Sequence, residues 1–366
     1  MVIRGLEIRI TGGNAMKTQS RRPPRKLKVK TQLFYGGLIV FFLLGVLVEL
    51  SGASDPKVLE ASKKEGQLMW YNTLVQPHAQ EIINRFMKKY PFVRANFWRG
   101  SGIKVHARLT TEARAGRYDW DVVSLTDAES VSDLREKGLV ARYNSVERNM
   151  FSDDLKDKEG YWTAYYALPT GLILNTRQVK MGEVPKSYED LLRPVWKGGR
   201  ISIDTEGYEL LVGLTQAWGK DKAVTYLKRL AAQEPVPGRG NNARIELLAA
   251  GEFPLAIAYT HTAEAIKKKG GPIEWTNLEP VVVKVDSIML GSRARSSNVG
   301  KLFIDFILSE EGQRLLQGLQ RPTLRTGVEP NPPRLSKGYE RVVLQPEHSV
   351  NVQENVRLYK QIFRLQ

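Results

Sequence analysis

Apolar and polar positions in the first half of the chain recur in alternating strand-like and helix-like segments. Ile82, Ile83 and Phe86, for example, fall on one face of a helix that follows an apolar strand. The pattern predicts strands at 67–74, 93–98 and 120–125, and helices at 77–90, 103–115 and 128–137. Repeated strand–helix units are typical of a mostly parallel sheet with helices on both faces. This half therefore predicts one α/β domain.

A second series of the same kind follows further along the chain. It predicts strands at 200–204 and 255–260 and helices at 208–218, 222–231, 243–250, 262–269, 298–308 and 309–318. Two long extended segments, 161–175 and 273–290, separate the series. We therefore predict two lobes with a cleft between them, joined by two hinge strands whose small backbone rotations open and close the cleft.

The N-terminus has the order of a secretory signal. Residues 1–30 contain nine lysines and arginines against Glu7 alone, and an apolar run over 33–50 and the small residues 51–53 follow. We predict that 1–53 is a signal peptide and that the mature protein is periplasmic. Since the apolar run is long for a signal, an uncleaved membrane anchor is the alternative.

Charge and cysteine content exclude several classes of function. Outside residues 1–50 the chain has 46 basic and 37 acidic residues, which are spread along it and do not cluster with aromatic residues, so we expect no nucleic-acid partner. The absence of cysteine excludes thiol chemistry and disulfides. No metalloprotease, nucleophile-elbow or phosphate-loop motif is present. A binding protein without a resident cofactor is favoured over an enzyme, with a periplasmic hydrolase or a membrane-anchored sensor lobe as alternatives.

Polar and small residues lie at the ends of the predicted strands, where open α/β sheets bind their ligands. Ser101 and Gly102 begin a helix whose N–H groups favour an anion. Arg239 lies in a glycine-rich loop and has the geometry to hold a carboxylate or phosphate. For each residue taken alone, an ordinary cap or turn is the alternative. The candidate ligand-binding residues are Tyr71, Asn72, Ser101, Gly102, Thr126, Tyr166, Asp204, Arg239, Tyr259 and His261.

Three motifs carry a family resemblance: GRYDWDVV at 116–123, PKSYEDLLRPVWKG at 185–198 and FIDFILSEEGQ at 303–313. Over roughly residues 57–320 the chain resembles the extracellular solute-binding proteins of iron(III)-type ABC importers. The resemblance implies a type II periplasmic-binding fold, a monomer, and capture of a small solute for an inner-membrane ABC permease. It also implies a first lobe of 55–162 plus 263–305 and a second lobe of 163–262 plus 306–366.

The resemblance also bears on the ligand. Ferric members of this family usually present a His after the first strand, a Glu after the second, and two adjacent tyrosines in the second lobe. The corresponding positions here fall near Leu74, Lys104 and His261, and Fe(III) prefers phenolate and carboxylate oxygens. These departures favour a small organic or anionic solute, or a chelated metal. Direct Fe(III) binding is the alternative, with Tyr166, Tyr259 and His261 as weak metal candidates.

Overall fold

The computed structural model describes residues 55–346 and 352–366. The predicted signal peptide, 1–53, lies outside the described residues. Within the described part of the chain, no helix combines the length and the apolar character needed to cross a membrane.

Helices and strands follow the predicted order closely. The helices are α1 (Pro56–Glu65), α2 (Gln76–Lys89), α3 (Gly102–Arg114), α4 (Ala128–Glu136), α5 (Tyr208–Trp218), α6 (Lys220–Ala231), α7 (Asn241–Ala250), α8 (Thr260–Lys268), α9 (Ser297–Leu308), α10 (Glu310–Gly318) and α11 (Val352–Phe363). The strands are β1 (Gln67–Asn72), β2 (Arg94–Arg99), β3 (Val122–Leu125), β4 (Val140–Ala141), β5 (Thr163–Asn175), β6 (Ile201–Asp204), β7 (Val236–Gly238), β8 (Leu255–Tyr259), β9 (Ile273–Thr276), β10 (Val281–Gly291) and β11 (Arg341–Val343).

The first lobe is built on β1, which pairs in parallel with β2 and β3. Trp70 of β1 is fully buried and meets Phe303 of α9 edge-on, with ring centroids 5.2 Å apart. Phe86 of α2 contacts the same Phe303 ring at 5.0 Å. Helices α2 and α9 therefore cover one face of β1, and the Tyr71 hydroxyl donates to Glu112 of α3 on the other face, as the α/β pattern predicts.

The second lobe is built on β6 and β8, which are parallel to each other. The second half of β5 runs antiparallel to β8 and β9. Alternate residues of β5 face opposite sides of this sheet: Leu172 and Leu174 pack under α5 and α6, whereas Ile173 packs with Trp275 on the side of α7 and α8. Both faces of the sheet are thus covered.

Two long strands connect the lobes, as the sequence predicts. β5 pairs with β10 up to Pro169 and with β8 from Thr170 onwards. The β5–β10 ladder is irregular between Asp286 and Ser287. The chain therefore has the two-lobed α/β architecture with hinge strands between the lobes.

The core packing also shows how the chain is divided between the lobes. Phe306 and Leu316 pack in the first core, although the sequence boundaries put them in the second lobe. Ala263 and Trp275 pack in the second core, although they were expected in the first. The reason is that 273–290 is two strands separated by residues 277–280, so the chain stays in the second lobe until β10 begins. We therefore place the point where the chain passes from the second lobe back to the first near residue 280.

Candidate functional site

The lobes meet at a cleft that contains three adjoining cavities. A cavity of about 370 Å³ is lined by His78 of the first lobe and His261 of the second. A cavity of about 220 Å³ includes Asp204 and Tyr259 of the second lobe. The largest, about 910 Å³, extends towards the starts of α3 and α4 and towards α11. Since Thr126 lines the first and third cavities and Tyr259 the first and second, the three form one continuous cleft.

Arg321 lies at the junction of the two lobes, shortly after α10 ends. Its Nε donates to Nδ1 of His78 at 3.2 Å, and its Nη1 lies 3.3 Å from Nε2 of His261. Its guanidinium carbon is 5.2 Å from the centre of the Tyr166 ring. The residue is only 9% exposed and lines the 370 Å³ cavity. Contacts from both lobes thus hold one positive charge at the cleft.

Both histidines are neutral partners of this guanidinium. Burial and the nearby Arg321 charge lower the pKa of His78 to about 4 and that of His261 to about 3. An arginine side chain can only donate hydrogen bonds. Each histidine therefore accepts a hydrogen bond with the ring nitrogen that faces Arg321 and carries its own proton on the other ring nitrogen. Nδ1 of His261 is buried and has no hydrogen-bond partner among the described residues. The site therefore holds an N–H donor with unused capacity beside Arg321.

The carboxyl group of Asp286 in β10 interacts electrostatically with Arg321. Its Oδ2 accepts from the Tyr166 hydroxyl at 2.9 Å and from the Thr73 hydroxyl at 3.1 Å. Its Oδ1 is buried without a partner in the described part of the chain. Burial raises the pKa of Asp286 to about 7, although hydrogen bonds and the Arg321 charge oppose the rise. Near neutral pH this carboxyl group therefore carries only part of a negative charge.

Three other cations that line the cleft each have a carboxylate partner. The distances from cation nitrogen to carboxylate oxygen are 2.6 Å for Lys284–Glu209, 3.3 Å for Arg244–Asp204 and 3.1 Å for Arg239–Glu206. Among the described residues, no aspartate or glutamate oxygen lies within the 4.0 Å of an ion pair from Arg321. Arg321 thus differs from these three in being a buried charge without a direct counter-ion.

Eight of the ten predicted residues line the cleft. Ser101, Gly102, Thr126 and Arg239 line the large cavity, Asp204 and Tyr259 the small one, and Tyr166 and His261 the cavity of Arg321. Of the adjacent tyrosines in β5, Tyr166 faces the cavity, whereas the Tyr165 hydroxyl lies 3.3 Å from Ser124 in the core. This placement brings the residues together without assigning their roles, and ligand binding by them stays a prediction.

Two predicted residues do not line these cavities. Tyr71 is buried between Trp98 and Trp120, and its hydroxyl donates to Glu112. The Oδ1 atom of Asn72 accepts from the backbone N–H of Leu74, which shapes the turn after β1. Both residues belong to the strand itself. The cleft begins one residue later, at Thr73, so the sequence placed the start of the binding surface too early.

Sequence reasoning missed four residues of the site: His78, Lys284, Asp286 and Arg321. A signal for two of them was present, because Lys284 and Asp286 are charges inside an apolar strand that is buried on both faces. Such charges are usually retained for a specific partner or function. Arg321 gave no comparable signal, since it belongs to an irregular segment after α10.

The three weak metal candidates line one cavity, where each has contacts with neighbouring side chains. Tyr166 donates its hydroxyl proton to Asp286, and the rings of Tyr259 and His261 stack with centroids 5.6 Å apart. In the described ranges, no three His, Asp or Glu side chains converge as metal ligands would.

Comparisons with known proteins agree with this architecture. The family model of bacterial extracellular solute-binding proteins matches residues 118–337. An uncharacterized protein of Haemophilus influenzae is 27% identical over 303 residues, which cover 79% of this chain and 81% of that protein.

Solved structures show the same fold. Iron-bound HitA from Pseudomonas aeruginosa has a TM-score of 0.70 at 19% identity and covers 81% of this chain and 99% of its own. AfuA from Actinobacillus pleuropneumoniae, with fructose-6-phosphate bound, has a TM-score of 0.68 at 23% identity and covers 82% and 99%. The chain therefore belongs to the bacterial extracellular solute-binding proteins, the substrate-binding subunits of ABC importers.

Proposed function

We propose that this protein captures a small organic anion in its interlobe cleft and delivers it to an inner-membrane ABC permease. The observation that carries the proposal is the buried Arg321 guanidinium, which has no carboxylate partner in the described part of the chain. Burying an ion without a counter-ion is costly, and the cost falls when an opposite charge arrives. An anionic ligand supplies that charge.

The donors around Arg321 suit a carboxylate or phosphate. A guanidinium forms two parallel hydrogen bonds with either group, and such charged bonds are about twice as strong as neutral ones. Neutral His78 and His261 add N–H donors without adding charge. Since AfuA holds fructose-6-phosphate in the same fold, we propose a phosphorylated or carboxylated metabolite as the ligand class.

The same geometry argues against bare Fe(III). The fold is compatible with iron binding, since HitA is iron-bound. Whether a protein of this fold binds Fe(III) or an organic anion therefore depends on its side chains. A trivalent cation beside the three weak candidates would lie next to the Arg321 guanidinium, which it would repel. Tyr166 would also have to give up its hydrogen bond to Asp286 before its oxygen could bind a metal.

The proposal includes capture without chemical turnover. A ligand that contacts both lobes favours the closed form, and a differential affinity of about 5.5 kcal/mol converts a 1:99 mixture of closed and open forms to 99:1. Arg321 is suited to this role because it contacts His78 of the first lobe and His261 of the second.

Calorimetry with the mature protein tests the ligand class. The panel is inorganic phosphate, glycerol 3-phosphate, fructose 6-phosphate, citrate and ferric citrate, and mass spectrometry of the recovered ligand tests for turnover. We expect at least one organic anion to bind unchanged. Arg321→Met should weaken it by at least about 30-fold, which corresponds to about 2 kcal/mol for the loss of a charged partner.

The matched control is Arg314→Met on α10, because Arg314 is exposed and pairs with Glu310 outside the cleft. It should leave the affinity unchanged. Equal affinities of the wild-type protein and the Arg321 variant for the anion would refute the role of Arg321 as the anchor, that is, as the residue that binds the anionic group. Binding of iron but of no anion would refute the ligand class.

A further inference from the structure

The C-terminal helix α11 forms one side of the ligand cleft. Tyr359 and Ile362 on its inner side pack in the core of the second lobe. Val356 and Val352, about one and two turns before Tyr359, line the 910 Å³ cavity, as does Tyr359 itself. The same apolar face of the helix therefore packs in the second lobe and borders the cleft.

The position of α11 is fixed by a close contact. The Tyr359 hydroxyl donates to the backbone oxygen of Asp204 at 2.8 Å. Gly207 makes this approach feasible, because a Cβ atom at that position would lie 3.0 Å from the hydroxyl oxygen. Tyr359 also lines the 220 Å³ cavity together with Asp204 and Arg244. The end of β6, which carries the predicted ligand-binding residue Asp204, and the C-terminal helix are thus one connected unit.

The first lobe contributes the opposite side of the same cavity. Ile103, at the start of α3, is 80% exposed and lines the 910 Å³ cavity. Val352, Val356 and Leu365 add apolar side chains from the C-terminal segment, while Ser101 adds a hydroxyl group. Charged side chains also line this cavity, including Asp127, Glu209 and Arg364. The surface therefore suits a ligand body with apolar groups and with hydroxyl groups that can hydrogen-bond to carboxylates, whereas Arg321 is the charged lining residue of its own cavity.

We propose that α11 determines specificity: it contacts the organic body of the ligand while the anionic group lies at Arg321. The inference rests on the proposed function, because it assigns one end of the ligand to Arg321. The two regions are continuous through Thr126, which lines both cavities. Small anions such as inorganic phosphate occupy only the Arg321 end, so α11 affects larger ligands alone.

Substitutions that fill the cavity test this assignment. Val356→Trp places a large ring in the cavity from α11, and Ile103→Trp does so from the first lobe, where the exposed position keeps the fold intact. The control is Gln361→Trp, since Gln361 is exposed on α11 and does not line the cavity. Calorimetry compares inorganic phosphate, glycerol 3-phosphate and fructose 6-phosphate for each variant.

We expect both cavity substitutions to weaken fructose 6-phosphate at least tenfold relative to the control, with inorganic phosphate changed less than twofold. An equal effect on both anions, or no effect on either, overturns the role of α11 while Arg321 remains the anchor. If the wild-type protein binds none of these three anions, this inference fails; the ligand class fails as well only if citrate does not bind either. Loss of binding in Val356→Trp alone points to a damaged helix and also overturns the inference.

Discussion

The protonation of Asp286 gives a direct test of the electrostatics at the hinge. The carboxyl group is fully buried in β10, and one of its oxygens has no partner among the described residues. Asp286→Asn keeps the size of the side chain and removes its ability to ionise. The bonds from Tyr166 and Thr73 can be kept, because both reach the same oxygen and the amide NH2 can take the place of the oxygen that has no partner; any cost of this exchange does not depend on pH.

The sign of the pH effect follows from the raised pKa. The carboxyl pKa is about 7 in the folded protein and about 3.9 in an unfolded chain. Between these values the folded protein holds a proton that the unfolded chain releases, so this group contributes stability at low pH that is lost as the pH rises through 7. Between about pH 5.5 and about pH 8.5 the contribution falls by about 2 kcal/mol.

Urea unfolding of both proteins across that pH range measures the effect. We expect the free energy of unfolding of the wild-type protein, minus that of Asp286→Asn, to fall by about 2 kcal/mol from about pH 5.5 to about pH 8.5. Asp190→Asn is the control: backbone N–H donors of Lys186 and Ser187 lower the pKa of Asp190, so it is ionised throughout. If the difference in unfolding free energy between the wild-type protein and Asp286→Asn depended on pH as little as the difference for Asp190→Asn, the raised pKa of Asp286 would be refuted.

Two further outcomes are expected from the architecture and the N-terminus. The anion identified by calorimetry should reduce the radius of gyration in solution X-ray scattering, because rotation about β5 and β10 brings the lobes together; an unchanged radius at saturation contradicts closure. N-terminal sequencing of periplasmic protein should begin after residue 53, because a basic segment, an apolar run and small residues form a cleavable signal; an intact N-terminus in the membrane fraction supports an anchor instead.

Local pattern was sufficient to predict most of the fold. The helix at 208–218 was predicted with both ends correct, because a continuous apolar face ends at Gly219, whose φ of 85° suits glycine. The segment 273–290 was read as one strand, because both parts are apolar and extended. Residues 277–280 separate β9 from β10, and this break places α8 and β9 in the second lobe. An apolar run alone does not show which sheet a strand joins.

The candidate site was predictable only where it follows strand ends. Thr126 and Tyr259 were found because a ligand cleft lies beyond the carboxyl ends of the strands. The same rule included Tyr71 and Asn72, which lie two residues and one residue before the first cleft residue, Thr73. The side chains that set the charge of the site were missed, because their partners are distant in sequence: 243 residues separate Arg321 from His78, and 60 separate it from His261.

The contacts of Arg321 connect the fold to the choice of ligand. The fold itself is shared with an iron-bound protein and with a protein that holds fructose-6-phosphate, so it does not select between a cation and an anion. Selection depends on the charge placed where the lobes meet. Neutral His78 and His261 orient the guanidinium without balancing it, and Asp286 balances it only in part near neutral pH. The remaining positive charge attracts an anion and repels a metal ion. One side chain from an irregular segment thus carries most of the argument for an anionic ligand.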